Sequence, residues 1–143
     1  MQPHSWRRDT VMIECLILGD SIAVGTHQFR TGCALQAKVG ITSRAWNSNY
    51  IGYMPRAKSV IISLGSNDHA DTRTKAQLQR IREKAGTDTQ VFWIMPAVNP
   101  EAQAAIRLIA QEYGDTVLPI AKLRSDGVHP TTVGYKQLAE KTK

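Results

Sequence analysis

Ser21 follows Gly19 and Asp20 at the end of an apolar run, and the pattern after it turns helical. A serine placed there presents its hydroxyl and its backbone N–H at a helix N-terminus. Unpaired N–H groups and the helix dipole favour an anion that develops at such a point. The same Gly-Asp-Ser also reads as a plain helix start, with Asp20 or Ser21 as the cap. Two sharper patterns fail. A phosphate loop of the form G-x-x-x-x-G-K-[ST] is excluded, because Gly19 and Gly25 are too far apart and Thr26-His27 stands where Lys-Ser/Thr is required. The G-x-S-x-G nucleophile elbow is absent.

Other polar groups able to do chemistry also follow apolar runs: Gly40-Ile41-Thr42, Gly65-Ser66-Asn67-Asp68, Met95-Pro96 and Asp126-Gly127-Val128-His129-Pro130. Taken singly each has a bland reading. Gly40 can simply end a strand, Asn67 and Asp68 can bond their own backbone in a turn, and Asp126-x-x-His129 can open a helix capped by Thr131 or Thr132. His69 with Asp68 and Asp71 lacks the framework of a metal site, so no metal and no cofactor is expected. His4 and His27 read as surface residues.

The elements that must position these groups alternate. Strand-like runs lie at Met12–Leu18, Leu35–Val39, Ser59–Leu64, Gln90–Met95 and Thr116–Leu118, most of them rich in Val and Ile. Helical patterns lie between them, at Ile22–Arg30, Ser43–Tyr50, Thr72–Ala85 and Pro100–Tyr113, and Thr132–Glu140 closes the series. Asn99, Pro100 and Gly114 punctuate the fourth helix, and Asp71 and Gly86 bracket the third. Such alternation implies right-handed crossovers and a parallel sheet covered on both faces, with ligands at the carboxyl ends of the strands.

The chain's 143 residues fit one domain, expected over residues 11–143, after a flexible polar segment at 1–10. No apolar run approaches the roughly 20 residues of a membrane span, and the first apolar run reads as a strand, not a signal peptide. Two cysteines, Cys15 and Cys33, make no disulfide scaffold. Aligning Gly19 with Gly40 sets them about three residues out of register, which argues against a bond between them. Free thiols and a cytoplasmic protein are the default expectation, with a phage-encoded or otherwise exported protein as the alternative. The net charge of +6 raises the question of nucleic acid. Its densest stretch, Arg73, Lys75, Arg80, Arg82 and Lys84, reads as the wet face of an amphipathic helix, so nucleic acid is not the expected partner.

In order and context, Ser21, Gly40, Asn67, Asp126 and His129 resemble the signature of the SGNH hydrolases, also called GDSL esterases and lipases. The resemblance runs from Leu18 to Ala139 and includes the Gly134-Tyr135 and Leu138-Ala139 ending. It implies a flavodoxin-like α/β/α sandwich with a five-stranded parallel sheet in the order 2-1-3-4-5. It implies Ser21 as nucleophile, His129 as its general base and Asp126 as the partner that fixes the imidazole. The Ser21 and Gly40 N–H groups and the Asn67 amide would form the oxyanion hole. The chemistry makes sense: a serine hydroxyl is a poor nucleophile until an oriented base takes its proton. With that strand order the segment from Pro119 to Asp126, reaching about 25 Å at roughly 3.3 Å per residue, can carry His129 back over Ser21.

The activity so implied is hydrolysis of short acyl esters, acetyl above all, of a carbohydrate or other small alcohol. Thioesterase or lysophospholipase activity is an alternative within the family. A non-catalytic carbohydrate- or assembly-binding protein is the alternative outside it. The chain is short for the family, which favours an open site, and Thr42, Trp46, Met95, Val98 and Val128 are the candidate pocket residues. The oligomeric state is not legible.

Overall fold

The computed structural model describes residues 11–143; the expectations for residues 1–10, and for His4 among them, fall outside that range. Its five strands are β1 (Ile13–Gly19), β2 (Ala34–Ala37), β3 (Ala57–Ser63), β4 (Gln90–Ile94) and β5 (Thr116–Leu118). The helices are α1 (Ser21–His27), α2 (Ser43–Tyr50), α3 (Thr74–Ala85), α4 (Pro100–Tyr113) and α5 (Thr132–Lys141), with 3-10 turns at Ile51–Tyr53 and Ala70–Thr72. All strand pairs are parallel and the sheet runs β2-β1-β3-β4-β5, the order expected.

Alternate side chains on a strand face opposite ways, so the central strands feed two cores. Leu16, Leu18, Val60, Ile62 and Trp93 pack with Trp46, Leu78, Ile81, Ile106 and Ile109 from α2, α3 and α4. Cys15, Ile17, Ile61, Phe92 and Ile94 pack with Ile22, Tyr135 and Leu138 from α1 and α5. Gly19 ends β1 opposite Ser63 of β3. A Cβ there would collide with the Ser63 carbonyl oxygen, so only glycine lets the chain turn at that point.

Several sequence-based expectations give way to packing. The first helix stops at His27, not Arg30. The third begins at Thr74, with Arg73 in the left-handed region at φ 56° in the N-cap position, while Asp71 lies in the preceding 3-10 turn and caps nothing. Arg82 is not on a wet face. It is buried, forms a two-pronged ion pair with Asp115 at 2.7 and 3.0 Å, and lies 4.2 Å over the Tyr113 ring. His27 is half-buried and bonds the Cys33 carbonyl at 2.9 Å.

The largest correction concerns the cysteines. Cys15 and Cys33 form a disulfide, with their Cα atoms 4.4 Å apart. The register explains it: Gly19 lies opposite Ala37, not Gly40, because Lys38, Val39 and Gly40 belong to the turn beyond β2. That offset closes the gap that had kept the two thiols apart.

Candidate functional site

Ser21, Gly40, Asn67, Asp126 and His129 each lie beyond the carboxyl end of a strand, in the segment that follows it or at the start of the next helix. Asp20 caps α1: its Oδ1 accepts from the Ile22 N–H at 3.0 Å and from Ser63 Oγ at 3.0 Å. With the cap supplied by Asp20, the Ser21 hydroxyl is left free to point elsewhere. Ser21 Oγ lies 2.9 Å from His129 Nε2, and His129 Nδ1 lies 2.8 Å from Asp126 Oδ2. Asp126 Oδ1 accepts from the backbone N–H groups of Val128 (2.8 Å) and His129 (2.9 Å). Those two N–H donors, then the imidazole, pull the Asp126 carboxyl down to about 2.

The loop that carries this pair follows β5 and closes on itself. Leu123 bridges Pro130, the Arg124 N–H donates to the His129 carbonyl at 2.8 Å, and the Thr131 N–H donates to the Lys122 carbonyl at 2.9 Å. Thr131, not Thr132, caps α5. Asp126 and His129 are both partly exposed, with 46% and 34% of their side chains open to solvent, so the site is a surface site.

Gly40 and Asn67 come from the turns after β2 and β3. The Lys38 N–H donates to the Gly19 carbonyl at 3.0 Å, which lays the Lys38–Gly40 turn against the end of β1 just ahead of Ser21. Gly40 has φ 80° and open space around its Cα. The demand for glycine there comes from the backbone conformation. Asn67 donates one amide hydrogen to the Ile41 carbonyl at 3.2 Å, and its second amide hydrogen has no acceptor among the described residues. Asp68 joins the two turns, accepting from the Ser43 N–H (2.8 Å), Ser43 Oγ (2.5 Å) and Thr74 Oγ1 (2.8 Å).

Of the candidate pocket residues, Thr42 lines a cleft of about 250 Å³ together with Lys38 to Ile41, Ala45 and Asn49, directly beside Gly40. Val98 is exposed, and Met95 and Val128 are half-buried. Trp46 does not line a pocket: it is fully buried and its indole N–H donates to the Gln36 carbonyl at 2.9 Å. A wider cleft of about 450 Å³ lies between Ile51–Gly52 and the last turns of α3, lined by Arg80, Glu83 and Lys84, and holds none of these groups. No cluster of three or more metal-ligating side chains occurs among the described residues. His69 is exposed, and its backbone N–H donates to Thr72 Oγ1 at 3.1 Å. Sequence reasoning missed Asn99, which bonds the Gly65 and Asp68 carbonyls; its only signal was its place before Pro100 as a helix cap.

No family model matches the chain, and no curated protein matches it. Solved structures do. The chain is similar to a member of the lipolytic protein G-D-S-L family from Veillonella parvula, with a TM-score of 0.64 and 16% identity over 90% of this chain and 94% of that one. It is similar to the catalytic domain of a peptidoglycan O-acetyltransferase from Streptococcus pneumoniae, with a TM-score of 0.60 and 16% identity over 91% of this chain and 90% of that one. The fold is therefore the α/β/α fold of the GDSL, or SGNH, proteins, as the sequence resemblance implied.

Proposed function

We propose that the protein is a serine esterase of the SGNH type that removes short acyl groups, acetyl foremost, from a carbohydrate or other small alcohol. The observation that carries this reading is the unbroken chain Ser21 Oγ, His129, Asp126, with links of 2.9 and 2.8 Å. In the proposed reaction Ser21 Oγ attacks the ester carbonyl carbon as His129 Nε2 takes its proton. Asp126 keeps the Nδ1 proton on the imidazole and balances the charge that forms. The carbonyl oxygen becomes an anion, met by the Ser21 and Gly40 N–H groups and the spare Asn67 amide hydrogen. Collapse expels the alkoxide, which takes the proton from His129. Water, deprotonated by the same imidazole, then releases the acid from the acyl-serine.

The partly exposed site and the cleft of about 250 Å³ beside Gly40 suit a small acyl group on a bulky, polar alcohol. An acyl-serine in so open a site can also pass its acyl group to a second alcohol. The similar Streptococcus fold, an O-acetyltransferase, favours testing that branch by adding sugar acceptors to the assay. No helix among the described residues is long and apolar enough to cross a membrane, and the Cys15–Cys33 bond suits work in an oxidising compartment rather than a reducing one.

The decisive experiment is Ser21→Ala. It abolishes hydrolysis of 4-nitrophenyl acetate and labelling by a fluorophosphonate probe while leaving Tm nearly unchanged, since the half-exposed serine contributes little packing. Substantial turnover in that variant would move the nucleophile elsewhere. No turnover by the unaltered protein across an ester panel would favour a binding protein on the same fold.

A further inference from the structure

The side chain of Asn99 is spent on more than a helix cap. Its Oδ1 accepts from the Ala102 N–H at 3.2 Å, an ordinary capping bond for α4. Its Nδ2 donates both hydrogens, to the Gly65 carbonyl at 2.8 Å and the Asp68 carbonyl at 3.1 Å. Those carbonyls stand on either side of Asn67, and the Asp68 N–H donates back to the Gly65 carbonyl to close the turn. The turn is also pressed against α4, since a Cβ on Gly65 would collide with the Ala102 Cβ.

The backbone of Asn99 is bent to make this reach. It sits at φ 76°, ψ 83°, whereas the other side-chain caps, Asp20, Thr42 and Thr131, have extended backbones at φ −106°, −81° and −68°. Capping alone calls for the extended form. A non-glycine residue in the left-handed region is costly, and asparagine is among the few that tolerate it. No serine, threonine or aspartate could at once accept from Ala102 and donate to two carbonyls.

We propose that Asn99 is a positioning residue for the oxyanion hole: it clamps the Gly65–Asp68 turn to the start of α4 and so fixes the direction of the Asn67 amide. The proposal rests on the esterase reading for its kinetic consequence. Its structural content, a turn held by two side-chain donors, stands apart from any activity. The amide of Asn67 has one hydrogen tied to Ile41. The direction of the other therefore follows the backbone of the turn, and a small rotation of that turn moves it off the developing anion.

The test uses two variants of the whole chain. Asn99→Gly accepts the positive φ but has no donors; Asn99→Asp retains the capping oxygen but turns an acceptor on both carbonyls. Both are expected to lower kcat for 4-nitrophenyl acetate by about 10-fold or more, within the limit of about 10²–10³ set by losing the donor itself, with little change in KM. The double variant Asn67→Ala/Asn99→Gly should be no slower than Asn67→Ala alone, because Asn99 acts through Asn67. In NMR spectra the Asn67 side-chain NH₂ pair should broaden, and the Ser66 and Asn67 amides should exchange faster, in both single variants. Unchanged Asn67 signals, a kcat in Asn99→Asp equal to the parent's, or fully additive losses in the double variant would each overturn the proposal. A parent protein without turnover would sink the esterase reading, and the NMR measurement would still decide the clamp.

Discussion

Asn67 and His129 stand on loops of opposite build. The turn of Asn67 is short and tied outward: Asp68 takes bonds from Ser43 at the start of α2 and Thr74 at the start of α3, and Asn99 at the start of α4 holds its carbonyls. The loop of His129 is longer, exposed over most of its length, and tied mainly to itself through the Asp126 carboxylate and the Leu123–Pro130 bridge. The Asn67 donor that would meet the oxyanion is thus bolted to the helix layer. The imidazole that would act as base is oriented by a local turn and reaches the scaffold mainly through Ser21. Fixed donors are worth most when they need not move as charge develops. A base that must take up and release protons, and let the leaving alcohol depart, can sit on a segment that opens at lower free energy.

The sharpest way to break this comparison is on the exposed side. His129→Ala should remove essentially all ester turnover with little change in Tm, and His69→Ala, the control at the nearest other strand end, should leave most of it. The scheme is wrong if those outcomes are reversed. Asp126→Asn retains an oxygen for the Val128 and His129 N–H groups but favours the wrong imidazole tautomer, so kcat should fall by about 10⁴. A loss of under 10-fold would mean that the loop, not the carboxylate, orients the ring.

On the bolted side the expected effect is smaller. Asn67→Ala should lower kcat by about 10²–10³, with KM nearly unchanged, because one fixed donor out of three is removed. A rise in KM at constant kcat would make Asn67 a substrate-binding residue and leave Gly40 and Ser21 alone at the oxyanion.

The parallel sheet was legible in the alternation of apolar and helical runs, and its order in the resemblance to the SGNH proteins. Ser21, Gly40, Asn67, Asp126 and His129 each come after an apolar run, and parallel sheets collect such positions at one edge. What was not legible depends on register and long-range pairing. The Cys15–Cys33 bond hinges on whether Ala37 or Gly40 faces Gly19, and no tight turn joins parallel strands to fix that choice. The burial of Arg82 depends on Asp115, which arrives from beyond α4 and also takes the Trp93 indole N–H at 3.0 Å. Trp46 was misread for the reverse reason: it lies near the site in sequence, but its helix turns it inward to pack on β1 and β3. The second task of Asn99 is written in no motif, since a cap and a clamp have the same sequence signature.

Two carboxylates beside Ser21, Asp20 before it in the chain and Asp126 across His129, carry the contrast into the pH dependence of stability. Asp126, exposed and fed by N–H donors, is pulled down to about 2, so what it adds to stability is present above its unfolded value of 3.8 and lost as pH falls through about 2. Asp20 goes the other way. It is buried beneath the bolted side, its Oδ2 has no hydrogen-bond partner among the described residues, and burial pushes its carboxyl up to about 6 against the pull of the Ile22 N–H and Ser63. Between 3.8 and about 6 the folded chain holds a proton there that the unfolded chain has released. Stability therefore falls as pH rises through that window, by up to roughly 3 kcal/mol at 1.36 kcal/mol per unit. Asp20→Asn, which retains an oxygen for Ile22 and Ser63 but cannot ionise, should lack this descent. Its Tm relative to the parent should climb between pH 4 and pH 7 and level off above. A difference that stays flat over that range would show that the Asp20 carboxyl is ionised in the folded protein as readily as in the unfolded one. The orphaned Oδ2 would then have to be solvated from the site side, and the bolted half of the site would be wetter than its hydrogen bonds imply.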